Sequence, residues 1–231
     1  LLPDERAVRL NADVSRRAVA FAAAADWRPC GGGSTTRRLL ERDGDGGTRL
    51  TAILRYPPGT AFPPHTHPHG EELLVLSGAF EDEQGRYPFG TYVRNPPGSR
   101  HAPSTAGGCA VFVKVGRFHA EDRQRLVVDT RHAEWFPGLA KGVMTLPLFC
   151  FGSEVVGLVR YAPGTVFPPH THPRGEEILV LEGLFEDEED AYPTGTWLRN
   201  PPGSRHRPFS LQGCLLYVKC GHLPEVVTEA R

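Results

Sequence analysis

The sequence predicts an all-β chain of two tandem jelly-roll β-barrel domains behind a short amino-terminal arm. Three observations carry that prediction. The chain repeats itself at an offset of about 105 residues. Its 26 glycines and 22 prolines punctuate short apolar runs without low complexity. No long amphipathic helical pattern intervenes to link parallel strands.

The repeat sets the domain organisation. Residues 55–116 match residues 160–221 without a gap, and about two thirds of the positions are identical. Trp27 and Trp135 each open a weaker echo that precedes a copy. The expected division is an arm over residues 1–25, a first domain over 26–120 and a second over 121–231. Each copy has about 100 residues, enough for its own core. Residues 1–25 read as a short helical or partly ordered arm, with residues 14–25 its longest helical-looking piece. The join near residues 121–132 contains Val127-Val128-Asp129 between charged residues and reads as a linking strand.

The strands follow in order within the first copy. Residues 50–56 form one, ended by Pro57-Pro58-Gly59. Residues 71–76 form a second, closed by Gly78. Residues 90–94 and 109–115 supply the third and fourth. Composition excludes several function classes. The formal net charge of −1 gives no electrostatic reason to bind nucleic acid or an anionic membrane. No apolar run reaches the roughly 18–20 residues that span a bilayer. Five cysteines, odd in number and without a CxxC pair, fit reduced thiols in a cytoplasmic protein.

The chemistry sits inside the repeat. His65 and His67 are two apart, so on an extended chain both imidazoles leave the same face. Glu71 shares that parity. His101 follows Pro96-Pro97-Gly98, a turn that can return it across a barrel. The second copy supplies His170, His172, Glu176 and His206 at the same spacings. Three imidazole nitrogens and one carboxylate oxygen suit Zn, Fe, Mn, Ni or Cu, and not Ca or Mg. The expectation is two divalent transition-metal ions, one per domain, with zinc or iron foremost. His69 has the right parity, but Arg174 replaces it in the second copy, so it reads as a rim or surface residue. His119, His132 and His222 default to the surface.

These residues also carry a family resemblance. Gly59-x5-His65-x-His67-x3-Glu71-x6-Gly78 resembles the first cupin motif. Gly90-x5-Pro96-x-Gly98-x2-His101 resembles the second, with Thr105 where many members have Asn. The second half repeats both, from Gly164 to Gly183 and from Gly195 to His206, with Ser210 at the Asn position. The run HTHPxGEExLVLxGxFEDE is similar to cupin domains of the ChrR type. The resemblance covers most of the chain outside the arm. It implies a cupin barrel with the metal inside, held by His, His, Glu and His. Glu71 and Glu176 are assigned to the metal. Glu72 and Glu177 point to the other face, toward an inter-strand contact with Arg94 or Arg199.

Other repeated residues receive structural roles. The acidic runs Glu81-Asp82-Glu83 and Glu186-Asp187-Glu188 read as solvated hairpin ends. Arg94, Arg199, Arg100 and Arg205 read as ties between strands and turns. Cys109 and Cys214 alternate with Val111, Val113, Leu216 and Val218 and read as core. Tyr56, Tyr161, Phe62 and Phe167 read as barrel packing.

Two function classes remain open. One is a metal-dependent enzyme on a small oxygenated molecule, with dioxygenase chemistry as the leading reading. The other is a ChrR-like metal-binding sensor or regulatory module. The best-known ChrR-type proteins are anti-sigma factors whose partner binding lies in a separate helical zinc domain with an HxxxCxxC pattern, which the residues before Trp27 lack. The expected partners are a small-molecule ligand or substrate, with no nucleic acid and no membrane, in a monomer or homodimer.

Overall fold

A computed structural model describes residues 9–21, 26–30, 34–43, 49–116 and 118–224. Every regular element among them is a strand, and every strand pairing is antiparallel. No helix long and apolar enough to cross a membrane is present among them. The chain divides into two compact units. One holds Leu1–Ala12 and Asp26–Ala133; the other holds Asp13–Ala25 and Glu134–Arg231.

In the first unit the main sheet runs in the order Arg9–Leu10, Thr36–Asp43, Leu50–Tyr56, Cys109–Val115, Glu71–Asp82, Thr91–Asn95, Leu126–Asp129. A separate two-stranded ladder pairs His65–His67 with Ser99–His101. The second unit repeats this plan. Its order is Phe136–Pro137, Val143–Phe151, Glu154–Tyr161, Cys214–Cys220, Glu176–Glu186, Trp197–Asn200, Ala18–Ala20, and its ladder pairs His170–His172 with Ser204–His206.

Alternation fills each barrel. In the first unit Leu73, Val75, Val93, Val111 and Val113 share one buried cluster with Ala52, Phe80, Tyr87 and Cys109. Ile178, Val180, Leu198, Leu216, Phe185, Tyr192 and Cys214 do the same in the second. Both repeated cysteines are therefore core residues, as their alternation with valine and leucine requires.

Two features depart from the sequence reading. The strand expected over residues 71–76 continues to Asp82. Its ladder with Cys109–Val115 skips Leu76, because Ala110 faces Ser77 while Val111 faces Val75. This bulge bends the strand, so its far half pairs instead with Gly85–Pro88 and touches Ser104–Thr105. The bulge lies beyond Glu71 and Glu72 and leaves their facing undisturbed. The arm is the other departure. Residues 18–20 are a strand on the edge of Trp197–Asn200, not a helix, and residues 22–25 lie outside the described residues. A helix of a dozen residues is marginal alone. The open sheet edge offers the backbone of Ala18, Val19 and Ala20 a full ladder instead.

Thr105 and Ser210, at the position where the family resemblance expects Asn, are buried and donate their hydroxyls to the carbonyls of Ala79 and Leu184. They tie the bent half of the long strand to the segment after the last ligand-motif histidine.

Gly183 sits at the bend with φ 77°, and a Cβ there would collide with the carbonyl oxygen of Gly213. Gly183→Ala combines left-handed strain with that clash. It is expected to lower the unfolding free energy by at least about 1 kcal/mol. Chemical denaturation checks this, and an unchanged midpoint would contradict the close packing at the bend.

Candidate metal centres

Each cluster is assembled by a short ladder and one long strand. Antiparallel pairing sets His101 directly across from His65, and Ser99 across from His67. The Pro96–Ser99 turn makes this return: the Ser99 amide donates to the Pro96 carbonyl at 3.0 Å, and the Gly98 amide to the His67 carbonyl at 2.9 Å. The second ladder opposes His170 to His206 and His172 to Ser204.

All eight sequence-predicted residues lie in these two clusters. In the second unit, His170, His172, Glu176 and His206 present ligand-type atoms that all lie within 4.8 Å of one another. The Nε2 atom of His206 stands 3.0 Å from that of His172 and 3.2 Å from that of His170. The Glu176 Oε2 atom lies 3.4 Å and 3.5 Å from the Nε2 atoms of His172 and His206. In the first unit His65, His67 and His101 form the tight group. His67 and His101 face each other through Nε2 at 3.0 Å, and Glu71 stands 3.6 Å and 3.5 Å from them.

Surrounding groups keep these lone pairs inward. His65 Nδ1 lies 3.1 Å from the Pro63 carbonyl, and His170 Nδ1 lies 3.0 Å from that of Pro168. A carbonyl only accepts, so each Nδ1 carries the proton and each Nε2 is left as a lone pair. His101 Nδ1 faces Asp82 Oδ2 at 3.6 Å, and His206 Nδ1 faces Asp187 Oδ2 at 3.8 Å. Asn95 donates to Glu71 at 3.3 Å, and Asn200 to Glu176 at 3.1 Å.

The donor set fits a divalent transition metal. Metal–nitrogen bonds of about 2.0–2.1 Å hold neighbouring ligand atoms about 3–3.4 Å apart, close to the spacings in both clusters. Three nitrogens converge in each cluster, and no arrangement of protons on neutral imidazoles pairs all of them.

Electrostatics separates the histidines. Burial pushes His67 and His170 down, and pushes His172 down to about 3. Burial acts downward on His101 and His206 as well, but nearby carboxylates outweigh it and their net shift is upward. Asp82, Glu71 and Glu83 act on His101, and Asp187, Glu176 and Glu188 on His206. Burial raises Glu176.

Above each cluster the barrel holds an apolar cavity. The first, about 260 Å³, reaches His65, His67 and Glu71 past Tyr56, Phe62 and Leu73. The second, about 190 Å³, reaches all four second-unit residues past Tyr161, Phe167 and Ile178. Tyr56, Tyr161, Phe62 and Phe167 thus line the cavities as well as packing the barrels.

The remaining expectations divide. His69, His119 and His132 are exposed, and so are Arg100 and Arg205. Glu72 accepts from Arg94 at 2.9 Å and from the Tyr92 hydroxyl, the expected inter-strand contact. Glu177 accepts from Trp197 Nε1 at 2.7 Å and lies 2.9 Å from His222 Nε2. The His222 side chain is therefore largely buried against a carboxylate, not on the surface as expected. The acidic runs also need correction. Asp82 and Asp187 are buried behind His101 and His206, while their neighbours Glu83 and Glu188 accept from the Ala102 and Arg207 amides. Strand alternation over the FEDE runs is the signal that could have found them, since the middle acid has the parity of the inward Phe80 and Phe185 side chains only once the bulge-bent strand is followed through its hairpin.

Comparisons with known proteins place this geometry. The family described as ChrR cupin-like domain matches residues 15–119 and again residues 123–224. Among solved structures, a provisionally named dioxygenase from Nostoc punctiforme superposes with a TM-score of 0.74 at 17% identity, covering 93% of this chain and 86% of that one. Protein Ylba from E. coli gives 0.71 at 14% identity, with 98% and 100% covered. The oxalate decarboxylase of Lactobacillus farciminis, in a formate complex, gives 0.65 at 11% identity, with 90% and 87% covered. These likenesses show the fold. No curated protein matches.

Asp187 has a testable signature. Burial raises its carboxyl, but the facing His206 imidazole and hydrogen bonds from the Tyr192 hydroxyl and the Glu189 and Asp190 amides outweigh that and hold it down to about 2 from 3.8. A folded value below the unfolded one contributes stability that is present above 3.8 and is lost as pH falls through about 2. In chelator-treated protein, Asp187→Asn is expected to be less stable than wild type at pH 6, with the gap closing between about pH 4 and pH 2. Denaturant midpoints across that range check it, and a constant gap would contradict it.

Proposed function

The chain belongs to the ChrR cupin-like domain family, whose domain occurs in it twice, and we propose that it is a metal-dependent enzyme acting on a small oxygenated molecule, with dioxygen-dependent cleavage as its reaction. One observation carries the reading: an apolar cavity opens onto each three-histidine, one-glutamate cluster, reaching all four residues in the second unit and His65, His67 and Glu71 in the first. A divalent metal bound there would supply Lewis-acid polarisation of a substrate oxygen and, as Fe(II), redox access to dioxygen.

The chain's own residues supply the rest. His65, His67, Glu71 and His101 would hold the first ion, and His170, His172, Glu176 and His206 the second. The carbonyls of Pro63 and Pro168 hold His65 and His170 with Nε2 inward. Asn95 and Asn200 fix the carboxylates of Glu71 and Glu176. Tyr56, Phe62 and Leu73 in one cavity, and Tyr161, Phe167 and Ile178 in the other, exclude water and seat carbon. Both cavities are smaller than the roughly 300–1,000 Å³ of drug-sized pockets. They suit a molecule of a few heavy atoms, such as a short diketone or hydroxy-ketone. Cleavage of a 1,3-diketone between a carbonyl carbon and the central carbon would break one carbon–carbon bond and place one atom of dioxygen on each fragment, giving an acid and a ketoaldehyde. The named neighbours, a provisional dioxygenase and an oxalate decarboxylase, support chemistry on small oxygenated substrates.

A second reading is favoured by one residue. Cys220 Sγ lies 3.8 Å from His172 Nδ1 and 3.9 Å from Glu176 Oε1, whereas the first repeat has Val115 at that position. An oxidisable thiol against two ligand residues suits a sensor in which thiol oxidation disturbs metal binding.

Two experiments test these readings. His65→Ala is expected to lower metal content by about one ion per chain, with the second cluster still filled, as elemental analysis would show. Loss of both ions would contradict independent sites. The Fe(II)-loaded protein is expected to consume dioxygen with at least one member of a panel of short diketones and hydroxy-ketones. No uptake with any of them rejects the dioxygenase reading. Metal release on peroxide treatment that Cys220→Val abolishes would favour the sensor instead.

A further inference from the structure

Each unit contains one strand from the opposite repeat. Register sets Ala18 opposite Arg199 and Leu126 opposite the repeat-equivalent Arg94, which matches Arg17-Ala18-Val19 with Arg125-Leu126-Val127. These are equivalent amino-terminal strands of the two repeats. Ala18–Ala20, from the first repeat, pairs with Trp197–Asn200 in the second unit. Leu126–Asp129, from the second repeat, pairs with Thr91–Asn95 in the first unit. The two repeats have exchanged strands.

The exchanged strands each deliver an arginine to equivalent places. In the second unit Arg17 donates to the Tyr192 hydroxyl and lies 3.3 Å from Asp187 Oδ2. Tyr192 donates to Asp187 Oδ1 at 2.7 Å, and Asp187 faces His206 Nδ1. Arg17 Nε also donates to Asn200 Oδ1 at 3.1 Å, and Asn200 donates to Glu176. In the first unit Arg125 donates to the Tyr87 hydroxyl at 2.6 Å, Tyr87 to Asp82 Oδ1 at 2.9 Å, and Asp82 faces His101 Nδ1. Tyr87, Asp82 and His101 are the repeat equivalents of Tyr192, Asp187 and His206.

We infer that Arg17 and Arg125 are positioning residues, each supplied by one repeat to the metal cluster of the other. This inference rests on the metal-binding reading above. The chemistry is directional. Asp187 must present Oδ2 to His206 Nδ1 if the imidazole is to keep its proton there and aim its Nε2 lone pair at the ion. Tyr192 holds the other oxygen, Oδ1, while Arg17 reaches Oδ2 and the Tyr192 hydroxyl, and together they fix the plane of that carboxylate. Through Asn200 the same guanidinium orients the amide that holds Glu176. Arg17 therefore reaches two ligand residues through one intermediary each. Arg125 reaches one ligand residue, through Tyr87 and Asp82, so its influence is the weaker of the two. A lone repeat would lack the arginine that its own cluster uses.

Co(II) binding to the full-length protein tests the assignment, because Co(II) reports both affinity and ligand geometry by visible absorption. Two backgrounds isolate the clusters: His65→Ala with His67→Ala leaves the second, and His170→Ala with His172→Ala leaves the first. Direct partners of metal ligands typically change affinity 10–100-fold, so residues one step further should change it by roughly three- to tenfold. Arg17→Met is expected to weaken Co(II) at the second cluster by that factor and shift its absorption bands, with the first cluster unaffected. Arg125→Met should do the reverse with a smaller effect. Arg17→Lys should recover part of the loss. Tyr192→Phe breaks the same chain of contacts while leaving the exchanged strand intact, and should move the second cluster's spectrum in the same direction. An unmoved spectrum and unaltered affinity in Arg17→Met and Tyr192→Phe, or equal changes at both clusters, overturns the assignment. A wild-type protein that binds no Co(II) at either cluster overturns the metal reading itself, and the inference with it.

Discussion

Three imidazole nitrogens that face one another across 3.0–3.2 Å inside a barrel are the constraint on which the surrounding structure depends. Neutral imidazoles repel through converging lone pairs, and charged ones repel more strongly. The arrangement persists because two of the rings and the carboxylate are held from behind. A proline carbonyl takes the far proton of the ring nearest the opening, an aspartate faces the ring across the ladder, and an asparagine pins the carboxylate between them. These contacts recur in both units with nearly the same distances. That recurrence fits a geometry set by the ligand group's needs rather than by local accidents of packing.

The barrel provides the rigidity for this. A two-stranded ladder carries all three rings, and its backbone pairing sets His170 directly opposite His206. The long strand that carries the glutamate then bends at a bulge and returns the buried aspartate to the same neighbourhood. One strand thus supplies both a ligand-type carboxylate and the acid behind the opposing histidine. On the other face of that strand Glu72 is buried with Arg94, and Arg94 also bonds Asp122 at 2.8 Å. A charge group that buried tolerates no loss of a partner, because the remaining charges would stand unpaired in low dielectric.

Duplication has preserved the ligand groups and let the cavities diverge. Arg37 and Thr35 line the first cavity. Strand register sets Arg37 opposite Leu54 and Thr145 opposite Val159, so Thr145 is the second unit's counterpart of Arg37. The second cavity is smaller and has Cys220 where the first has Val115. The two barrels therefore set similar ligand groups beneath different walls, the first with Arg37 and Cys30 and the second with Thr145 and Cys220.

Much of this was legible in the sequence for a simple reason. Side chains on a strand alternate with a period of two, and a duplicated pattern filters accident from requirement. Parity alone put His65, His67 and Glu71 on one face, and the repeat removed His69. The barrel class, the four strands and the core cysteines follow from the same local rule. What the sequence hid depends on partners distant along the chain. The helical look of residues 14–25 yields, over Ala18–Ala20, to an open strand edge. His222 is buried because Glu177 waits for it, and the solvated look of Glu81-Asp82-Glu83 fails because a bulge turns Asp82 inward. The exchange of strands lies furthest from local reach. Ala18 and Leu126 carry no mark of which sheet they join; only the free edges of the folded barrels, and the tyrosine and aspartate beside them, decide which cluster each arginine serves.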